Sequence, residues 1–223
     1  MRKYVVHFQP CKRPAYLHKQ FGFEPILNRA SFTEPLMRCF AGHVVGQGLI
    51  GEEEGIIIEN DLWLPPDFNE KIEKCVGLRK DPYIVSLYAF DHYGELPVTD
   101  HPCSVPRLYW ATQAVYYSPG AAPFFRHALE MYIRRGTPQS SPHPLGGDNF
   151  MYDAAAWYDF PVYVYPIVQH IGYDSAVKCK FHQNPYLPSD PGRPTSPHPK
   201  GTGEIPPEHF TRPPGSFRPF ESH

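Results

Sequence analysis

Hydrophobic and polar positions up to about Phe181 switch repeatedly between the two-residue period of strands and the three-to-four spacing of helices. Lys3 to Phe8 and Glu24 to Leu27 read as strands, separated by a short helix around Ala15 to Phe21. Glu34 to Ile50 has helical potential despite its glycines and leads into Ile56-Ile57-Ile58. Three β-branched apolar residues in a row predict a short strand buried on both faces, as in parallel sheets covered by helices. The run stops at Glu59-Asn60-Asp61, and Pro65-Pro66 then bar further strand pairing.

Beyond the prolines, Asp67 and Glu70 make a capping-box pattern, with Phe68, Ile72 and Cys75/Val76 along one helical face and Gly77 as the stop. Tyr83 to Phe90 and Leu108 to Tyr117 read as strands. Ala121 to Arg135 reads as a helix: Phe125, Leu129 and Ile133 share a face, Arg134 and Arg135 suit its negative end, and Gly136 follows. A further helix is predicted from near Asp148 to around Trp157, before a strand from Val162 to Val168. The pattern predicts an α/β domain over residues 1–181.

From His182 onward prolines recur every few residues with few apolar neighbours, so residues 182–223 are expected not to fold alone. Such a tail either drapes over the domain through Phe210, Phe217 and Phe220 or serves as an extended, polyproline-type contact for a partner.

Composition narrows the classes. A chain of 223 residues with 41% apolar and 20% charged residues can bury one sizeable core. No apolar run approaches about 18 residues, so no membrane span is expected, and the first strand is too short an apolar segment for a signal peptide. The five cysteines are odd in number and lack CxxC spacing, which points to reduced thiols in the cytoplasm rather than a disulfide framework or a zinc site. A net charge of −2 disfavours a surface devoted to nucleic-acid phosphates.

The chemistry concentrates after Ile58. Carboxylates at the carboxyl end of a buried parallel strand lie where open α/β sheets bind ligands. Glu59 and Asp61 in acid-x-acid spacing offer hard oxygen ligands to Mg²⁺ or Mn²⁺, which in turn hold phosphates. The same residues also suit a solvated turn at a strand end.

Gly55-Ile-Ile-Ile-Glu-Asn-Asp-Leu-Trp-Leu-Pro-Pro-Asp-Phe resembles the acidic segment of GT-A-fold glycosyltransferases, and in particular the lipopolysaccharide-type transferases of glycosyltransferase family 25. Three later segments follow in the order such a fold requires. Tyr116-Tyr117-Ser118-Pro119-Gly120-Ala121 resembles the small-residue loop that closes on the donor sugar. Gly146-Gly147-Asp148-Asn149-Phe150 resembles the acidic motif facing the acceptor, and Tyr165 to Gly172 the late strand whose histidine completes the metal site. Upstream, Arg38-Cys39-Phe40-Ala41-Gly42-His43 resembles the helical segment before the metal motif.

The resemblance implies an α/β, GT-A-like fold, a mixed, mainly parallel central sheet flanked by helices, and a metal-dependent transfer of a sugar from a nucleotide-sugar donor, a UDP-hexose, to an acceptor hydroxyl with inversion. The acceptor class (glycan, lipid-linked saccharide, protein or nucleic acid) stays open. Asp61 and His170 would hold Mn²⁺ or Mg²⁺, and Glu59 would orient the donor or reach the metal through water. Arg13, Arg38, His43 and Gly120 would line the donor site, and Asp148 would serve as base. Asn60 departs from the pattern, since a second acid is common there. On the residues alone, Asp148 equally suits an N-cap, Gly120 a strand-to-helix turn, His170 a hydrogen-bonded core histidine, and Tyr109 and Trp110 core packing. His143 and His198 carry no metal spacing. Two other readings compete: a non-catalytic nucleotide-sugar or glycan binder on the same scaffold, and a nucleotidyltransferase, which the glycine-free segment Phe8 to Pro14 disfavours.

Overall fold

The structure, a computed structural model, describes residues 1–7, 13–27, 35–88, 100–104, 112–135, 151, 154–155 and 158–170, with the side chains of 35–39, 104, 132–135 and 170 outside that description. The elements run β1 (Arg2–His7), α1 (Arg13–Phe21), β2 (Glu24–Leu27), α2 (Pro35–Ile50), β3 (Gly55–Glu59), β4 (Leu62–Trp63), α3 (Phe68–Glu73), β5 (Ile84–Ser86), β6 (Cys103–Ser104), β7 (Ala114–Tyr117), α4 (Ala121–Arg135), β8 (Val162–Val164) and β9 (Gln169–His170). Met151, Ala154 and Ala155 are helical as well, inside the helix expected before β8.

A seven-stranded sheet in the order β2-β1-β3-β7-β5-β8-β6 forms the centre, with β4 and β9 as a separate pair. β1, β2, β3, β5 and β8 run one way, and β7 and β6 run the other. This is the mixed, mainly parallel α/β architecture expected. β3 itself is parallel only to β1, because its other neighbour, β7, is antiparallel.

Alternation along β3 divides the core between two faces. Ile57 packs with Phe40 and Ile50 of α2 and with Ala122, Phe125 and Leu129 of α4. Ile56 and Ile58 pack on the other face with Leu17 and Phe21 of α1 and Phe68 and Ile72 of α3. All three isoleucines are fully buried, as a run of β-branched residues between helical layers requires. No helix among the described residues is long and apolar enough to cross a membrane.

The local expectations held unevenly. The boundaries of α4 and the course of α2 agree with the sequence pattern. The capping box does not form: Asp67 makes no side-chain cap and instead pairs with Lys71 at 2.9 Å, one turn on. Helix α3 closes at Glu73, and Gly77, with φ of +72°, ends the turns that follow. Of the two long strands predicted around Tyr83–Phe90 and Leu108–Tyr117, Ile84–Ser86 and Ala114–Tyr117 are paired, and residues 89–90 and 108–111 lie outside the described set. So does the Pro-rich segment 182–223.

Candidate functional site

Five strands end on the same edge of the sheet, and Glu59 closes β3 there opposite Val6 of β1. Asn60 and Asp61 turn the chain into β4. The turn is not the solvated strand end that its composition alone would suggest. Asp61 is 3% exposed and Asn60 8%. The turn therefore packs into the fold, and its carboxylate is enclosed rather than solvated.

Arg13 contacts the chain just beyond that turn. It opens α1 directly above the carboxyl edge and is 2% exposed. Its Nη2 donates to the carbonyl of Leu62, the residue after Asp61. Its guanidinium carbon lies 4.8 Å from the centroid of the Tyr16 ring, a cation–π contact that covers the planar group. Arg13, expected among the donor contacts, is thus enclosed in the fold and tied to the start of β4 just after the Asn60–Asp61 turn.

β4 and β9 bring the late histidine to the same place. Leu62 pairs with His170 and Trp63 with Gln169, antiparallel. The main chain of His170 therefore lies alongside the residue following Asp61. Two-residue strands carry little periodicity, so nothing in the apolar pattern pointed to this pairing.

Glu59 faces the α2 layer, as its alternation with Ile57 dictates. Its Oε1 lies 3.6 Å from Nε2 of His43, with side-chain exposures of 17% for Glu59 and 0% for His43. The backbone N–H of Glu59 donates to the carbonyl of Gln113 at 2.8 Å. Gln113 was not singled out from the sequence, since a lone glutamine carries no motif. His43, expected among the donor contacts, is enclosed within the fold and offers no surface to a ligand.

Gly120 does not join this group. β7 runs antiparallel to β3 with Tyr117 opposite Gly55, so the loop after Tyr117 sits at the amino end of β3. The length of β3, about 13 Å at some 3.3 Å per residue, separates that loop from Glu59. There Gly120 adopts φ of +78° and donates its N–H to the Glu52 carbonyl at 3.0 Å. It serves the strand-to-helix turn, for which glycine is suited. Arg38 lies in the first turns of α2 with its side chain outside the described residues. Asp148, within the Gly146–Phe150 motif, lies outside them altogether.

A divalent ion is compatible with the donor types gathered here, a buried carboxylate and the chain position of an imidazole. Among the described residues no group of three or more His, Cys, Asp or Glu side chains could hold one.

No family model matches the chain, and no curated protein matches it. Among solved structures it is similar to A197 from STIV, with a TM-score of 0.45 and 10% identity over 76% of this chain and 84% of that one. It is also similar to UDP-glucose pyrophosphorylase from Acinetobacter baumanii (TM-score 0.38, 14% identity, 67% of this chain and 56% of that one). A third is mannose-1-phosphate geranyltransferase from Thermus thermophilus (TM-score 0.38, 10% identity, 76% and 61%). The chain spans less than two thirds of the last two proteins.

Proposed function

We propose that this chain is a metal-dependent glycosyltransferase that moves a hexose from a nucleotide-sugar donor, a UDP-sugar, to an acceptor hydroxyl with inversion. The observation that carries this reading is the β4–β9 pair, which sets the main chain of His170 opposite Leu62, the residue after Asp61. An acid-x-acid turn alone suits many loops. A buried aspartate, a buried arginine bracing its turn and a late histidine strand laid against it suit a site for a nucleoside diphosphate.

In this reading Asp61 and His170 hold Mn²⁺ or Mg²⁺, and Arg13 keeps the Asp61 turn in place. Such an ion would supply positive charge to offset that developing on the leaving diphosphate. Glu59, partly exposed at the same edge, orients the donor through its hydroxyl groups. Asp148 takes the proton of the acceptor hydroxyl as that oxygen bonds to the anomeric carbon and the carbon–oxygen bond to the diphosphate breaks. Arg38 contributes positive charge near the base or phosphates. Gly120 has no part in it.

The test is release of nucleotide from a panel of UDP- and GDP-sugars, with and without Mn²⁺. Metal-dependent release of one nucleotide, abolished by Asp61→Asn, is expected. Tight metal-dependent binding without release, even with acceptors supplied, would favour a non-catalytic reader of nucleotide sugars. Absence of binding to every donor would overturn the reading.

A further inference from the structure

Helix α2 approaches β3 so closely that a side chain at position 46 would have to displace that of Ile57. A Cβ on Gly46 would lie 2.8 Å from Cδ1 and 3.1 Å from Cγ1 of Ile57, closer than packed carbons tolerate. His43 lies one turn before Gly46 on the same helical face. Glu59 lies two residues beyond Ile57 on the same strand face. Gly46 with Ile57 and His43 with Glu59 therefore lie along one seam between helix and sheet.

That seam holds an unusual polar arrangement. His43 is fully buried, and neither of its ring nitrogens has a hydrogen-bond partner among the described residues. Its nearest ionic neighbour is the Glu59 carboxylate at 3.6 Å, longer than a hydrogen bond. Gln113 is the residue bonded to Glu59 across the β3–β7 pair, so it shares that sheet face. Its Oε1 is buried without a partner too. Burying hydrogen-bonding atoms unsatisfied costs stability, and an apolar residue at position 43 would avoid that cost.

We propose that His43 is a positioning residue that holds the Glu59 carboxylate from inside the fold. One Glu59 oxygen faces His43, and the other is presented at the sheet edge to the hydroxyl groups of the nucleotide-sugar donor. The role rests on the donor-binding reading of Glu59 given above. The 3.6 Å separation closes to a hydrogen bond when a donor hydroxyl fixes the outer oxygen, as happens at sites whose contacts tighten only on binding. His43 never touches the donor.

The test compares the full chain with His43→Leu and His43→Gln. Three properties are read: thermal unfolding, affinity for UDP-glucose and UDP-galactose with Mn²⁺, and the nitrogen chemical shifts of the His43 ring in wild type and Glu59→Gln. His43→Leu is expected to unfold no earlier than wild type yet to bind donor at least about tenfold more weakly, the loss of a hydrogen bond to a charged group. His43→Gln, whose carboxamide can donate to Glu59, is expected to recover most of that loss. Glu59→Gln is expected to move the His43 ring shifts. Lower stability of His43→Leu with unchanged affinity would make His43 a core residue only and overturn the positioning role. Ring shifts indifferent to Glu59→Gln would overturn the pairing whether or not a donor binds. A wild type that binds neither donor would overturn the donor reading, and the positioning role with it.

Discussion

Leu62 and His170 are partners across the β4–β9 pair, so a strand from the end of the described chain lies against the turn that carries Asp61. The consequence is that three separate segments meet at one edge of the sheet. Arg13 comes from the start of α1, Glu59 to Leu62 from the carboxyl end of β3, and His170 from β9.

Asp61→Asn keeps the shape of a side chain that is 3% exposed while removing its charge. Metal-dependent release of nucleotide from the donor is expected to fall at least about a hundredfold, the scale on which a stabiliser of transition-state charge contributes. The thermal midpoint should change little. A variant that retains wild-type release would overturn the proposed metal role of Asp61.

Arg13→Met keeps the buried aliphatic stem and deletes the donor to the Leu62 carbonyl. A loss of about 1–3 kcal/mol in unfolding free energy is expected, the cost of orphaning a buried acceptor. The Mn²⁺ needed for half-maximal donor binding should rise, because the Asp61 turn loses its brace. Urea unfolding and metal titration read the two effects separately, and unchanged values in both would deny Arg13 this role.

Gly46→Ala and Gly120→Ala separate the two edges of the sheet. Alanine at 46 meets Ile57 at 2.8 Å, and such overpacking costs about 1–3 kcal/mol. Alanine at 120 would meet Cγ of Pro82 at 3.3 Å and must adopt φ of +78°, a strain of about 1–2 kcal/mol from the backbone alone. Both should destabilise the chain. Only Gly46→Ala should weaken donor binding, since Gly120 sits at the far edge. Donor affinity lost in Gly120→Ala would return that loop to the site.

Alkaline conditions should destabilise the fold. Burial raises the Cys75 thiol well above its ordinary value of 9.0, and pushes the Tyr165 hydroxyl from 10.0 up to about 12. Tyr117 is raised by burial against the opposing bond from Gln47. Tyr116 is raised by burial and by Tyr83 and Glu54 beside it. In each case the folded state holds its proton at a pH where the unfolded chain releases it. Their contribution is therefore complete below about pH 9 and declines as pH rises through the interval between unfolded and folded values. Urea midpoints at pH 8, 10 and 11 should fall in that order, and a constant midpoint would refute it. Native Cys75 should also resist alkylation at pH 8.5, when mapped by mass spectrometry, until urea exposes it.

Features governed by near neighbours along the chain were legible without a structure. Ile56-Ile57-Ile58 reads as a doubly covered strand because β-branched apolar residues in sequence can be satisfied only between two helical layers. The course of α4 follows from its apolar spacing and the glycine beyond it. The capping box failed even locally, because Lys71, one turn on, competes for the Asp67 carboxylate that a cap would use.

Strand direction and long-range pairing were decided by the assembled sheet alone. Period-two alternation is the same for a strand run either way, so the sequence could not reveal that β7 opposes β3 and carries Gly120 to the far edge. β4 and β9 have two residues each, too few to express a period, and exist only because each supplies the other's hydrogen bonds. The approach of His43 to Glu59 lies along the seam where a glycine and an isoleucine pack between layers, a contact whose energy appears only after helix and sheet have met. The chain by itself determined which segments are strands and helices and where its carboxylates cluster. Tertiary packing determined which of those groups share an edge, because burial and hydrogen bonding join residues without regard to their separation in sequence.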